Sequence, residues 1–277
     1  MSGISTVIPC AGLGTRMLPL SAAVPKELLP MGDRPLLQWT VAEARATGCT
    51  DVVIVTSPEK MFSSFVDGPV RYADKLAAGS PASQEALALA RTMRYSFALQ
   101  SEPRGLGHAV LQARGHVNGA QFWVQLPDEW YPDQTCMPQM QRALAEAQAV
   151  RPGIDAAIAV MEVPAPEVER YGIARPDPGL TSGHWFGTHA LVEKPRMDQA
   201  PSRWAIIGRY LLPASLFDIL ETTAPGRGGE IQLTDALDQL ARQGRLICVP
   251  FAGARHDTGS VETYATAWQA YLAGTHT

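Results

Sequence analysis

What the chain lacks narrows its class first. Its 277 residues hold four cysteines, Cys10, Cys49, Cys136 and Cys248. They stand far apart with no CxxC pair, so neither a zinc site nor a disulfide framework is expected. They read as buried thiols of a reducing compartment. No apolar run approaches the ~18 residues of a membrane span, and the N-terminus has no basic segment leading into a long apolar one. The expectation is a cytoplasmic protein without a membrane partner. Basic charge is in short supply too: 23 Lys and Arg against 27 Asp and Glu leave a net charge of -4. A broad nucleic-acid footprint needs a basic face, so nucleic acid is not an expected partner. Any anionic ligand has to be held by a local cluster of cations. No internal repeat and no separating linker occur. With 46% apolar and 18% charged residues, the sequence predicts one globular domain over 1–277.

What is present is organised around Val7-Ile8-Pro9-Cys10-Ala11-Gly12-Leu13-Gly14-Thr15-Arg16-Met17-Leu18-Pro19, followed by Pro25-Lys26-Glu27. A short buried strand running into Gly-x-Gly leaves backbone N–H groups bare of side chains, and such groups face anions. Arg16 adds a charged fork and Lys26 a point charge. Together they predict a polyphosphate site. A dinucleotide fingerprint is opposed by Met17 in the third glycine position, and no P-loop string follows the strand.

The rest alternates strand and helix. Residues 4–10 predict a strand, 35–48 a helix with Pro35 in its first turn, and 51–56 a second buried strand, parallel to the first through a right-handed crossover. Residues 58–94 predict helices and a surface excursion with unplaced ends. Strands follow at 95–99, 121–126 and 154–163, with helices after Gly105 to about Arg114 and over 137–149. The strand at 121–126 delivers Asp128 to its C-terminal end, where open α/β sheets bind ligands. There a carboxylate suits Mg²⁺ bridging phosphates. From Tyr171 the texture turns β-rich, as an insertion over the sheet. A strand at 205–212 then returns, and helices at 214–223, 234–243 and 260–273 complete an α/β fold with a Rossmann-like mixed, mainly parallel sheet. Glu193 and Lys194, adjacent on a strand, reach one ligand only if the chain bends there. Asp235 and Glu230 suit the cap of the helix near Thr234.

The glycine loop with Pro25-Lys26-Glu27-Leu28-Leu29-Pro30 resembles the signature of sugar-1-phosphate nucleotidyltransferases. Colinear stretches resemble the same family: Gly105-Leu106-Gly107-His108-Ala109-Val110, Leu126-Pro127-Asp128, Tyr171-Gly172, Val192-Glu193-Lys194-Pro195, Ile207-Gly208-Arg209-Tyr210, Gly229 to Asp235, and His256-Asp257-Thr258-Gly259. The resemblance implies a nucleotide-binding part over about 1–163 and a sugar-phosphate part with the C-terminal helices over about 164–277. It implies that Ala11, Gly12, Leu13, Gly14 and Thr15 wrap a nucleoside triphosphate, with Arg16 and Lys26 on its phosphates. Gln100 would read the uracil edge beside backbone at Ala11 and Gly105. On the acceptor side, Gly172 and Glu193 would hold sugar hydroxyls and Lys194 the acceptor phosphate.

The metal would be Mg²⁺ on Asp128. Asp257 resembles the second acidic position of related thymidylyltransferases, or is a hydrogen-bonded loop carboxylate. The reaction implied is UTP plus glucose 1-phosphate giving UDP-glucose and pyrophosphate, in a possible homo-oligomer. Alternatives are dTTP or another sugar or cyclitol phosphate, and a sugar-nucleotide-binding regulator without turnover. Against the family pattern, Glu129-Trp130-Tyr131 replaces aliphatic residues, and Ser101-Glu102-Pro103-Arg104 and the loop 176–189 are this chain's own.

Overall fold

A computed structural model describes residues 3–274. Its main sheet has nine strands: β1 (Ile4–Pro9), β2 (Cys49–Thr56), β3 (Arg94–Leu99), β4 (Gln121–Gln125), β5 (Ala156–Glu162), β6 (Gly172–Thr181), β7 (Phe186–Glu193), β8 (Trp204–Pro213) and β9 (Leu246–Pro250). They lie in the order β3-β2-β1-β4-β8-β5-β9-β7-β6. The strands from β3 to β4 run parallel, β8 is antiparallel to both neighbours, and β5 and β9 are parallel again. Neighbouring residues on one strand feed opposite cores. Val7, Val53 and Val124 point into one and Ile8, Ile54 and Trp123 into the other. Covered on both faces, these strands are apolar at most positions, and among the exceptions the buried Thr6 and Gln125 hydrogen-bond each other.

Helices over Leu36–Ala46, Pro81–Thr92 and Cys136–Val150 cover one face and those over Leu106–Gln112, Leu216–Thr222 and Leu233–Arg242 the other. Pro35 stands just before its helix in extended conformation rather than in the first turn, and Gly48 turns the chain at φ +83°. The excursion at 58–94 resolves into helices Ser63–Arg71, Ala73–Ala77 and Pro81–Thr92.

The β-rich segment does not lie over the sheet as expected. Strands β6 and β7 pair as an irregular hairpin that extends the sheet beyond β9, and β6 turns back to pair with β8 at Trp204–Ala205. Edge hydrogen bonds of β9 and of the start of β8 are thereby satisfied within one sheet. Strand β9 has no counterpart in the sequence expectations. No helix among the described residues is long and apolar enough to cross a membrane.

The order reverses between β1 and β4: β2 and β3 lie on one side of β1, and the chain then crosses to place β4 on the other. Ligands bind beyond the carboxyl ends of strands at such a switch point. The glycine loop leaves β1 there, and Asp128 leaves β4.

Candidate active site

Two clefts open at this end of the sheet. The smaller, about 410 Å³, is bounded by the glycine loop, Lys26, Gln100 and Gly105. The larger, about 550 Å³, is bounded by Arg16, Gly172, Glu193, Lys194 and Asp257. Leu106, Leu126, Asp128 and Glu230 border both, so the clefts meet at Asp128.

The smaller cleft is shaped by backbone. Gly14 sits at φ +65° and opens a short turn at Thr15–Met17, with its carbonyl accepting from Ser21 Oγ at 2.8 Å. A Cβ on Gly12 would meet no heavy atom within 4 Å: the space above it is open to a ligand. Leu13, Thr15 and Arg16 are exposed on the same loop and Ala11 is buried beneath it. Lys26 Nζ donates to Asp128 Oδ2 at 2.5 Å. Burial opposes the charge of both groups, yet their mutual attraction outweighs it. Asp128 lies below the usual carboxylate range, with Arg16 contributing, and Lys26 lies above the usual lysine value.

At the other end of this cleft, Gln100 is buried, and its Nε2 donates to Gly105 O at 3.2 Å and lies 3.0 Å from His108 Nδ1. With both amide hydrogens directed at protein atoms, Oε1 is what this side chain can offer a base: an acceptor for an N–H. His108 is thus held against Gln100. Gly105 (φ +100°) and Gly107 bring the backbone against residues 230–232, where Ile231 N donates to Arg104 O and Ile231 O accepts from Gly107 N.

In the larger cleft, Lys194 adopts φ +44°, and this is the bend that lets two adjacent side chains serve one site. Glu193 Oε1 lies 3.1 Å from Lys194 Nζ, and its Oε2 accepts from Thr234 Oγ1 at 2.6 Å. Gly172 leaves room for Thr234 and Ile206, whose atoms lie 3.0 Å from where its Cβ would be. Asp235 does not cap the helix Leu233–Arg242: Gln232 occupies that position, with no side-chain capping bond, and Asp235 lies in the first turn. Glu230 is no cap either; its carboxylate accepts from Gln232 Nε2 at the border of the two clefts.

Asp257 stands opposite. Its Oδ1 accepts from Gly259 N at 2.8 Å, and its Oδ2 lies 3.4 Å from Arg170 Nη2. A Cβ on Gly259 would lie 2.8 Å from Arg16 Nη2, 3.0 Å from Asp257 Oδ1 and 3.3 Å from Asp128 Oδ2. Arg16, Asp128 and Asp257 therefore converge on one point, which only a glycine leaves open. No group of three or more His, Cys, Asp or Glu side chains suited to a metal occurs among the described residues. Two carboxylates, Asp128 where the clefts meet and Asp257 in the larger one, still fit Mg²⁺, which takes one or two protein oxygens and fills its shell with other oxygen ligands.

Several site residues escaped the sequence reading. Glu129 is buried and accepts from Arg255 at 2.7 and 2.9 Å, from Tyr131 Oη at 2.7 Å and from Gly208 N at 2.9 Å. Burial would raise this carboxyl, but Arg255 and the other donors hold it below the usual range. Trp130 and Tyr131 point into the interior, and of these three residues Glu129 alone lines the larger cleft. Arg170 and Arg255 belong to no spaced pattern, Thr234 falls in the Gly229-to-Asp235 stretch with no role expected of it, and Lys60 follows a strand as many surface lysines do.

A glycine loop at a switch point, joined to a second cleft through Asp128, gives two adjoining binding spaces. The nucleotidyl transferase family model matches residues 5–274, and the chain belongs to that family. UTP–glucose-1-phosphate uridylyltransferases of Streptococcus pneumoniae and Streptococcus pyogenes are 40% and 38% identical to it, over 91% of this chain and 85% and 83% of theirs. Among solved structures, an apo UDP-glucose pyrophosphorylase superposes with a TM-score of 0.87 at 33% identity, covering 98% of this chain and 99% of that one. A UTP-bound enzyme of the same kind from Acinetobacter baumannii gives 0.79 at 31%, covering 97% and 93%.

Proposed function

We propose that the protein transfers the uridylyl group of UTP to glucose 1-phosphate, giving UDP-glucose and pyrophosphate. The observation that carries this reading is the meeting of a polyphosphate cradle and an acceptor cleft at Asp128. A phosphate oxygen of the sugar phosphate, held by Lys194 with the sugar on Glu193 and Gly172 backbone, attacks the α-phosphorus. The bond to the β-phosphate bridging oxygen breaks, and pyrophosphate leaves opposite the attack. Lys26 exchanges Asp128 for phosphate oxygens as the triphosphate enters, and Arg16 neutralises charge at the point where the clefts meet. Holding both reactants in line supplies much of the acceleration. Asp128 and Asp257 would hold Mg²⁺, which would neutralise charge on the phosphates. Gln100 Oε1 accepts the N3–H of uracil, which cytosine lacks.

Residues 1–163 form the nucleotide part and 164–277 the acceptor part of one cytoplasmic domain, which in a homo-oligomer would repeat the same site. Pyrophosphate release, measured across UTP, dTTP, CTP, GTP and ATP against a panel of sugar 1-phosphates, tests the assignment. UTP with glucose 1-phosphate should lead and CTP should fail. Faster release with dTTP, whose base presents the same N–H, or with another sugar phosphate would replace the named substrates. No release with Mg²⁺ in any combination would sink the assignment as an enzyme.

A further inference from the structure

Lys60 lies outside every motif named above. It lines not the nucleotide cleft but the opposite side of the glycine loop, beside Leu13, Ser21 and Pro25. Its side chain is only 10% exposed. The ammonium donates to Cys10 O at 2.6 Å and to the two carboxylate oxygens of Glu27 at 3.0 Å each, which occupies all three of its donors. Its backbone is fixed as well: the amide donates to Ser57 O, and the carbonyl accepts from Thr56 Oγ1. Cys10 is the last residue before the loop opens, and Glu27, with 1% of its side chain exposed, directly follows Lys26. One ammonium therefore ties the start of the glycine loop to the turn that carries Lys26. A buried carboxylate needs a counter-charge, and without Lys60 the nearest cation left for Glu27 is Lys26.

We infer that Lys60 is a positioning residue: by engaging Glu27 and the Cys10 carbonyl it sets the width of the nucleotide cradle and leaves Lys26 for Asp128 and the triphosphate. The inference rests on the reading of the smaller cleft as the UTP site.

Lys60→Met, Glu27→Gln and the double variant test it, with UTP affinity measured by calorimetric titration without sugar phosphate, alongside steady-state KM values and Tm. Lys60→Met should weaken UTP by about tenfold or more and leave the KM for glucose 1-phosphate within about twofold, the scale of losing a supporting contact. Adding Glu27→Gln should recover part of the UTP affinity, because a neutral amide no longer draws Lys26 away. A role in packing alone would lower Tm with no such recovery. If Lys60→Met does not fold, Lys60→Arg carries the same readout, since a planar guanidinium cannot meet the three acceptors in the same geometry. Unchanged UTP affinity in whichever variant folds, or equal losses for both substrates, overturns the inference. Wild-type protein that releases no pyrophosphate from UTP would instead overturn the reading beneath it.

Discussion

Two glycines that border the same cleft should respond in opposite ways to one methyl group. Gly105 has φ +100° and ψ 173°, a region essentially reserved for glycine, and an alanine there carries a strain of about 1–3 kcal/mol. Its Cβ would also lie 2.8 Å from Glu230 Cβ, 2.8 Å from Ile231 O and 3.2 Å from Ile231 N. Two of these are backbone atoms, pinned by the bonds from Ile231 N to Arg104 O and from Gly107 N to Ile231 O, so the contact cannot be relieved by swinging a side chain. Overpacking of this kind adds about 1–3 kcal/mol. The stiffer unfolded chain returns about 0.4–1 kcal/mol. Gly105→Ala should therefore lose about 1–6 kcal/mol of stability, read as a lower urea midpoint at unchanged slope. Gly12 has no positive φ and no heavy atom within 4 Å of its Cβ position, so Gly12→Ala should stay within about 0.5 kcal/mol of the parent. Its added methyl fills space that the phosphates need, and UTP binding should weaken at least about tenfold, or about 1.4 kcal/mol. Gly12→Ala that binds UTP normally would refute the placement of the nucleotide. Gly105→Ala as stable as the parent would refute the steric argument.

Asp128→Asn should lower turnover by about 10²-fold or more while circular dichroism stays that of the parent; a near-normal rate would remove Asp128 from the mechanism. Glu129, held below the usual carboxylate range against the effect of burial chiefly by Arg255, contributes stability that is fully present above its unfolded value of about 4.3. That contribution is lost as pH falls through the lowered folded value. Thermal unfolding between pH 7 and pH 2 should show this loss, and Glu129→Gln should flatten it; an equally steep variant would contradict the assignment. His108 lies below the usual histidine value because of burial and the nearby Arg104. Nδ1 of the neutral ring accepts from Gln100 Nε2, and Gln112 Nε2 donates to His108 O. The KM for UTP should then be flat above about pH 6.5 and rise at lower pH, where a proton on Nδ1 ends the contact. The rise should vanish in His108→Gln, and an identical profile in that variant would exclude His108 as its origin.

How far the sequence carried depends on where each residue's partners lie. The glycine loop, Lys26 and Asp128 were legible because local order is enough: a strand end, a turn and a charge each announce themselves within a few residues, and the structure brings Lys26 and Asp128 within hydrogen-bonding distance. The reach of Glu193 and Lys194 into one cleft was legible only as a condition, that the strand bend there, and φ +44° at Lys194 supplies that bend. What stayed hidden has partners far along the chain. Glu129 meets Arg255 and Lys60 meets Glu27 across intervals with no period, so each reads alone as an ordinary surface charge. The hairpin from Gly172 to Glu193 was misplaced for the same reason, since its strands were visible but the edge they join, β9, was not. Trp130 and Tyr131 are both buried, in separate apolar clusters, while Glu129 itself borders the larger cleft. The departure from the family pattern beside Asp128 therefore reaches the larger cleft through Glu129 alone, because its neighbours Trp130 and Tyr131 are buried.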